Sequence, residues 1–140
     1  MKVAVIGSRS LKIPNLQNYV PKETTLIISG GCEGVDACAR DFALEHNIRL
    51  LEFLPEGEAD DHTLLLKRIL AIIESAELVL AFWDGKSRGT AIAMQQCILK
   101  NIPYRSYMRP DSEQSDHSFL QIWINPLKIL ASIDESRFKC

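Results

Sequence analysis

The sequence predicts an α/β fold, with one mainly parallel sheet of five strands and helices on both of its faces. Two observations support this prediction. Five short apolar runs alternate with segments of helical periodicity, and the first, second and fourth runs are almost continuously apolar. Strands without alternating polar positions are typical of sheets covered on both faces. Alternating strands and helices are typical of βαβ units, so the sequence predicts a three-layer sandwich with right-handed crossovers.

The five predicted strands are runs rich in Val, Ile, Leu and aromatic residues, at residues 2–7, 25–29, 48–54, 77–83 and 102–108. Seven of their apolar side chains are expected to lie in the core: Val3, Val5, Ile27, Ile28, Leu78, Leu80 and Phe82. If these segments formed an antiparallel meander instead, none of the inferences about a site at the strand ends would hold.

Apolar residues spaced three and four positions apart predict the helices. Three groups have this spacing: Val35, Ala39, Phe42, Ala43 and His46; Leu65, Ile69, Ile72 and Ile73; and Ala91, Met94 and Ile98. Residues 11–21 predict one more short helix, which begins near Pro14 and ends before Pro21.

At 140 residues the chain is long enough for one domain with its own core. We assign residues 1–108 to this domain and residues 109–140 to a C-terminal tail, predicted to be helical. Nine large apolar residues lie in the tail: Phe119, Leu120, Ile122, Trp123, Ile124, Leu127, Ile129, Leu130 and Ile133. If these residues were exposed to solvent, they would form a larger apolar patch than monomeric proteins usually have on their surface. The tail is therefore expected to pack on the domain or on a second subunit, and we favour a homo-oligomer.

Composition and charge exclude several classes of function. The chain is 46% apolar and 24% charged, with no run near the ~20 apolar residues that span a bilayer. Its N-terminus lacks the features of a secretory signal, so we expect a cytoplasmic protein without membrane contact. The net charge is −2 and the basic residues are dispersed, which makes nucleic acid an unlikely partner. The four cysteines form no C-x-x-C pair, and no metal site is expected.

Three polar loops that contain glycine follow the first, second and fourth strands, at residues 7–10 (GSRS), 30–36 (GGCEGVD) and 84–90 (DGKSRGT). In open α/β sheets, ligands bind beyond the carboxyl ends of the strands. Glycine permits close backbone approach, and the start of the following helix attracts an anion. The loops therefore predict a phosphate-binding site. Its candidate residues are Gly7, Ser8, Arg9, Gly30, Gly31, Gly34, Asp36, Asp84, Lys86, Ser87, Arg88, Gly89 and Thr90.

Each loop taken alone also fits a structural role. Short glycine patterns are weak motifs, and Ser87 could simply cap a helix. Asp36 could favour the helix dipole or accept a hydrogen bond from a ligand hydroxyl. Asp84 fits an Asx turn that holds its own loop. For the ligand-binding alternative, we expect a bulky residue at Gly31 or Gly89 to abolish binding and leave the fold intact, and we expect the Arg9 and Arg88 side chains to reach a common anion.

The three loops, in this order, resemble the SLOG superfamily of Rossmann-like domains. That group includes the DNA-processing protein A (DprA/Smf) domain and the LOG-type phosphoribohydrolases. The stretches "GSR", "SGG…GVD…A" and "AFWDGKSRGT" are most similar to the YspA/YpsA-like branch, over about residues 1–108. The resemblance implies a Rossmann-like fold and one pocket for a nucleotide-derived ligand. LOG enzymes, however, have a glutamate in the pattern G-T-x-x-E, where this chain has Ala93.

Three functions remain open on the sequence. The first is binding of a nucleotide-derived ligand, such as an ADP-ribose-like molecule or a nucleoside phosphate, without a cofactor. The second is LOG-like N-glycosidic hydrolysis of a nucleoside monophosphate, with Glu33, Asp36 or Asp84 replacing the missing glutamate. The third is DprA-like binding of single-stranded DNA, which the charge disfavours. We expect a binding protein more than an enzyme, because no acid–base pair accompanies the predicted phosphate site.

Overall fold

The computed structural model of the chain describes residues 1–55, 62–108 and 120–122. Within these residues the chain forms one sheet of six strands and three α-helices. The strands are β1 (Lys2–Gly7), β2 (Leu26–Ser29), β3 (Arg49–Glu52), β4 (Leu78–Trp83), β5 (Tyr104–Met108) and β6 (Leu120–Ile122). The helices are α1 (Val35–Glu45), α2 (His62–Glu74) and α3 (Arg88–Leu99).

The sheet has the strand order β3-β2-β1-β4-β5-β6, and its first five strands are parallel. This is a Rossmann-like α/β arrangement, and it confirms the predicted fold class. Strands β1 and β4 are neighbours, with Val5 opposite Leu80 and Gly7 opposite Phe82. The strand order reverses between them, so a crevice for ligands is expected at their carboxyl ends.

The two faces of the sheet have separate cores, because alternate residues of each strand point to opposite faces. Val3 and Val5 pack with α1 on one face, whereas Ala4 and Ile6 pack with α2 and α3 on the other. All six residues of β4 are buried. The seven side chains predicted to be in the core are confirmed as buried, with exposed fractions between 0% and 6%.

Two predicted elements differ in the structure. Residues 11–21 form only a short 3-10 turn at Leu16–Asn18 instead of a helix. Leu11, Ile13, Leu16 and Val20 are all buried along this segment. Their spacings of two, three and four positions do not match one helical face, so an irregular path buries them.

The second difference lies in the C-terminal tail, which the sequence predicts to be helical. Its three described residues form β6, which pairs antiparallel with β5 through Ser106 opposite Ile122 and Met108 opposite Leu120. An added strand satisfies backbone groups that the edge of β5 would otherwise leave unpaired. The remainder of the predicted helical tail lies outside the described residues. No helix in the described part of the chain is long and apolar enough to cross a membrane.

Candidate functional site

A cleft opens at the carboxyl ends of β1 and β2, between α2 and α3. It is lined by Ile6, Gly7, Gly30, Asp36, Leu65, Arg68, Ile69, Ile72, Ile73, Ser87, Gly89, Thr90 and Ala93. Its volume is about 40 Å³, a few times the space that one water molecule needs. A group the size of a phosphate fits this space. The rest of a larger ligand would extend beyond these walls.

Asp84 organises the loop that leads from β4 into α3. Its carboxylate accepts hydrogen bonds from the backbone N–H of Lys86 (2.8 Å) and of Ser87 (2.7 Å), and from the Ser10 hydroxyl (2.9 Å). The Asp84 N–H donates to Ser8 Oγ at 3.1 Å. Burial alone would raise the pKa of Asp84, but these hydrogen bonds outweigh it and lower that pKa below its ordinary value. Asp84 therefore joins the first and third loops as an ionised carboxylate.

The first turn of α3 faces the cleft through Ser87, Gly89 and Thr90. No side chain among the described residues caps this helix, and no hydrogen bond is found there for the N–H of Gly89 or Thr90. The Trp83 indole N–H donates to the Ser87 carbonyl at 2.8 Å, which anchors the start of the helix to the core. Unbonded N–H groups and the positive end of the helix dipole together favour an anion.

Gly89 differs from the other glycines of the three loops. A Cβ atom added there would meet no atom within 4 Å, and its φ is not positive. The fold therefore gives no steric or conformational reason for glycine at this position. Because Gly89 lines the cleft, its missing side chain leaves space there for a ligand to approach the backbone.

The other loop glycines make room for the protein itself. A side chain at Gly34 would collide with the Arg9 backbone, and one at Gly31 would collide with Leu54. Both glycines also have positive φ, +68° and +72°. At Gly31 a side chain would be strained by the positive φ and would displace the end of the exposed Leu54 side chain, whereas at Gly89 the described atoms leave the space open. The expectation that a bulky residue at either glycine abolishes binding and spares the fold stays a prediction.

Asp36, in the first turn of α1, is the carboxylate of the cleft. It is only 7% exposed, and its Oδ2 accepts the Cys32 N–H at 3.1 Å. Burial raises the pKa of Asp36 more than this hydrogen bond and the positive charge of Arg68 lower it. The cleft thus contains a buried carboxyl group that holds its proton more tightly than an ordinary aspartate.

Arg68 of α2 is a cleft residue that the sequence analysis missed. Its Nη1 donates to the Gly30 carbonyl at 2.9 Å and to the Phe53 carbonyl at 3.4 Å, which fixes the guanidinium beside the second loop. Burial lowers the pKa of Arg68, and the nearby Asp36 partly offsets that effect. An arginine stays charged at neutral pH even so. One feature of the sequence could have indicated Arg68: it lies three residues after Leu65, on the apolar face of the helix.

The candidate residues predicted from the sequence fall into three groups. Those that line the cleft are Gly7, Gly30, Asp36, Ser87, Gly89 and Thr90. Those that shape or connect the loops are Ser8, Gly31, Gly34 and Asp84. Those whose side chains are not part of the cleft wall are Arg9, Lys86 and Arg88, of which the first two are exposed. Whether Arg9 and Arg88 reach one anion remains a prediction.

Ala93 also lines the cleft, opposite the apolar side chains of α2. The position that the sequence analysis compared with the LOG glutamate is therefore part of the wall, and alanine supplies no carboxylate there. In the part of the chain that the structure describes, His, Cys, Asp and Glu residues form no group of three or more that could hold a metal ion.

The chemical character of the cleft follows from the residues that line it. Backbone donors and an arginine lie beside one buried carboxyl group, within a Rossmann-like fold. No protein-family model, no curated protein and no solved structure matches the chain.

Proposed function

We propose that the chain binds a nucleotide or a nucleotide-derived ligand, with one phosphate at the first turn of α3. The observation that carries this proposal is the open start of that helix in the cleft. Among the described residues, the N–H groups of Gly89 and Thr90 have no hydrogen-bond acceptor, and no described atom or positive φ requires glycine at position 89. These features fit close contact between the backbone and a phosphate.

Arg68 supports the anionic character of the ligand. Its guanidinium lines the same small cleft and is held in place by the Gly30 carbonyl. An arginine fixed in this way suits a phosphate because its planar group presents several donors to neighbouring oxygens. Together with the dipole of α3, it would give the cleft a positive potential that attracts an anion.

A nucleotide is preferred over other phosphate esters on two grounds. The site lies at the carboxyl ends of parallel strands, next to the reversal of strand order, where doubly wound folds bind nucleotides. The three loops also resemble those of the SLOG superfamily, whose YspA/YpsA-like branch has counterparts of these stretches. Membership of that superfamily is part of this proposal, and so is a cytoplasmic homo-oligomer, supported by the apolar composition of the tail.

N-glycosidic hydrolysis of a nucleoside monophosphate is a second candidate function. The observation in its favour is Asp36, a buried carboxyl group in the cleft with a raised pKa. A carboxyl group of this kind can act as a general acid. Binding without turnover remains the first proposal, because Ala93 supplies no carboxylate where LOG enzymes have one.

Calorimetric titration with AMP and ADP-ribose tests both candidates when product formation is measured in parallel. Arg68→Met is the diagnostic variant. Arg40→Met is its matched control, because Arg40 also donates to a carbonyl of the second loop, that of Gly31, and pairs with Glu52 away from the cleft wall. We expect Arg68→Met to bind the nucleotide at least about tenfold more weakly, because the variant loses one charge-assisted hydrogen bond to the ligand. Arg40→Met should leave the affinity nearly unchanged.

Equal affinities in the two variants would contradict the proposed site. Release of adenine from AMP by the wild-type protein, lost in Asp36→Asn, would establish the hydrolase in place of the binding protein. If neither nucleotide binds at millimolar concentration, the nucleotide proposal is wrong.

A further inference from the structure

Asp36 sets a chemical requirement on whatever the cleft binds. The carboxyl group lies in the wall of a space of about 40 Å³, and the donors that would hold an anion line the same space. Asp36 and the start of α3 line the same cleft, so an anion bound at the start of α3 would share that cleft with the Asp36 carboxyl group. Two negative groups in one cleft repel each other where burial limits screening by water.

The surroundings of Asp36 do not remove this repulsion. Arg68 faces it from α2, and the Cys32 N–H donates to Oδ2. One turn further along α1, Arg40 is engaged by Glu52 of β3 at 2.9 Å. Burial already makes the charged form of Asp36 less favourable than in water, despite the attraction of Arg68. A bare phosphate would add a further cost to that charged form.

A ligand hydroxyl beside the phosphate would change this balance. A buried carboxylate is stabilised by each hydrogen bond that it accepts. A sugar hydroxyl donates such a bond from an uncharged group, whereas the single P–OH of inorganic phosphate at pH 8 belongs to the dianion itself. We propose that Asp36 is a specificity-determining residue that accepts a hydrogen bond from a sugar hydroxyl, so that the cleft takes a phosphorylated sugar and discriminates against inorganic phosphate. This inference rests on the proposed function of the same site.

The first test compares ribose 5-phosphate with inorganic phosphate on the wild-type protein by calorimetry. It is done at pH 8, well above the ordinary pKa of an aspartate. We expect ribose 5-phosphate to bind about tenfold tighter or more, the effect of one hydrogen bond to a charged group together with relief of the repulsion. Equal affinities for the two compounds would overturn the inference and leave the anion site standing.

The second test repeats both titrations with Asp36→Asn. This variant keeps an oxygen that can accept the Cys32 N–H but removes the charge. We expect ribose 5-phosphate to bind several-fold more weakly and inorganic phosphate to bind more tightly, so that the preference shrinks or reverses. If Asp36 had a purely structural role, the substitution would lower the affinity for both ligands by the same factor. Other contacts of the sugar would survive the substitution, so a preference unchanged in the variant would contradict the inference.

Glu33→Gln is the matched control, because Glu33 is an exposed acid in the same loop. Its loss of charge should alter both affinities equally and slightly. If Asp36→Asn does not fold, the comparison of ribose 5-phosphate with inorganic phosphate on the wild-type protein still tests the inference. If neither compound binds the wild-type protein at millimolar concentration, the proposed function fails for sugar phosphates, a result distinct from binding without discrimination.

Discussion

Asp84 connects two loops that are more than seventy residues apart in the sequence. Its carboxylate accepts one hydrogen bond from a hydroxyl of the first loop and two from backbone N–H groups of its own loop. The start of α3, where we place the phosphate, therefore depends on a carboxylate that does not line the cleft. In the proposed site, Asp84 positions the first turn of α3, whereas Gly89 and Thr90 would offer their backbone N–H groups to the ligand.

The lowered pKa of Asp84 predicts a specific dependence of stability on pH. Because this pKa is lower in the folded than in the unfolded chain, Asp84 stabilises the fold above its unfolded pKa, near 3.8. The contribution is lost as the pH falls through the lower, folded pKa. Asp84→Asn removes this titration, so the advantage of the wild-type protein over the variant should be constant above about pH 5 and shrink progressively below it. Urea denaturation of both proteins from pH 7 to about pH 2 measures the difference, and a constant gap over the whole range would contradict the assignment.

Gly89→Ala should separate stability from binding. A Cβ at this helical position meets no atom within 4 Å, so alanine should raise the free energy of unfolding by up to about 1 kcal/mol. The added methyl group narrows the approach to the backbone, so the affinity for AMP should fall. Chemical denaturation and calorimetry give the two quantities. Higher stability with unchanged affinity would show that the ligand does not contact this turn.

At the scale of single elements, β4 is the strand on which the site depends. All six of its residues are buried, and it pairs with β1 on one side and β5 on the other. Trp83, its last residue, is hydrogen-bonded to the Ser87 carbonyl. The loop between β4 and α3 thus begins at the most deeply buried strand of the sheet. This attachment limits the movement of the loop in the absence of a ligand.

Leu80→Ala tests this role of β4 in the core. Leu80 is fully buried, and its truncation should lower the free energy of unfolding by about 2–5 kcal/mol. Leu44→Ala is the control, because Leu44 is 67% exposed and should change stability by about 0.5 kcal/mol or less. Urea denaturation checks both. Similar losses in the two variants would contradict the packing described here.

The sequence predicted the regular elements well because their apolar periodicity reports burial directly. β1 was predicted to the residue, and α1 to within one residue of its end. The segment at residues 11–21 was mispredicted because tertiary packing buried Leu11, Ile13 and Val20 without a helix. β6 was missed because its three residues form a strand by pairing with an edge that is distant in sequence.

The candidate site was only partly predictable. The glycine loops indicated the end of the sheet at which the cleft opens, because parallel strands end at one edge. They did not distinguish Gly89, which leaves space free, from Gly34, which accommodates the Arg9 backbone. Arg68 was missed because the sequence does not say which helix covers the strand ends, and nothing in the apolar row of α2 distinguishes this partly buried arginine.

At the scale of the whole molecule, the two faces of the sheet have different roles. α1 covers one face with a continuous apolar core. On the other face, residues of α2 and α3 share a core and line the cleft at the carboxyl edge of the sheet. The candidate site therefore lies next to the reversal of strand order.

Assembly is the prediction that belongs to the complete chain. The apolar residues of the tail favour a homo-oligomer, so light scattering at micromolar concentration should give a mass at least twice 15.8 kDa. A variant that ends after Met108 should return toward the monomer mass if the tail forms the contact. A wild-type mass of one chain would contradict the prediction.

The central claim, a nucleotide phosphate at the first turn of α3, is tested most directly by a two-dimensional NMR titration with AMP. We predict that the amide signals of Ser87, Gly89 and Thr90 shift with a common saturation curve. Amides on the opposite face, such as those of Ala39 and Ala43, should stay in place. Saturable shifts confined to that opposite face, or no shifts at millimolar AMP, would contradict the claim.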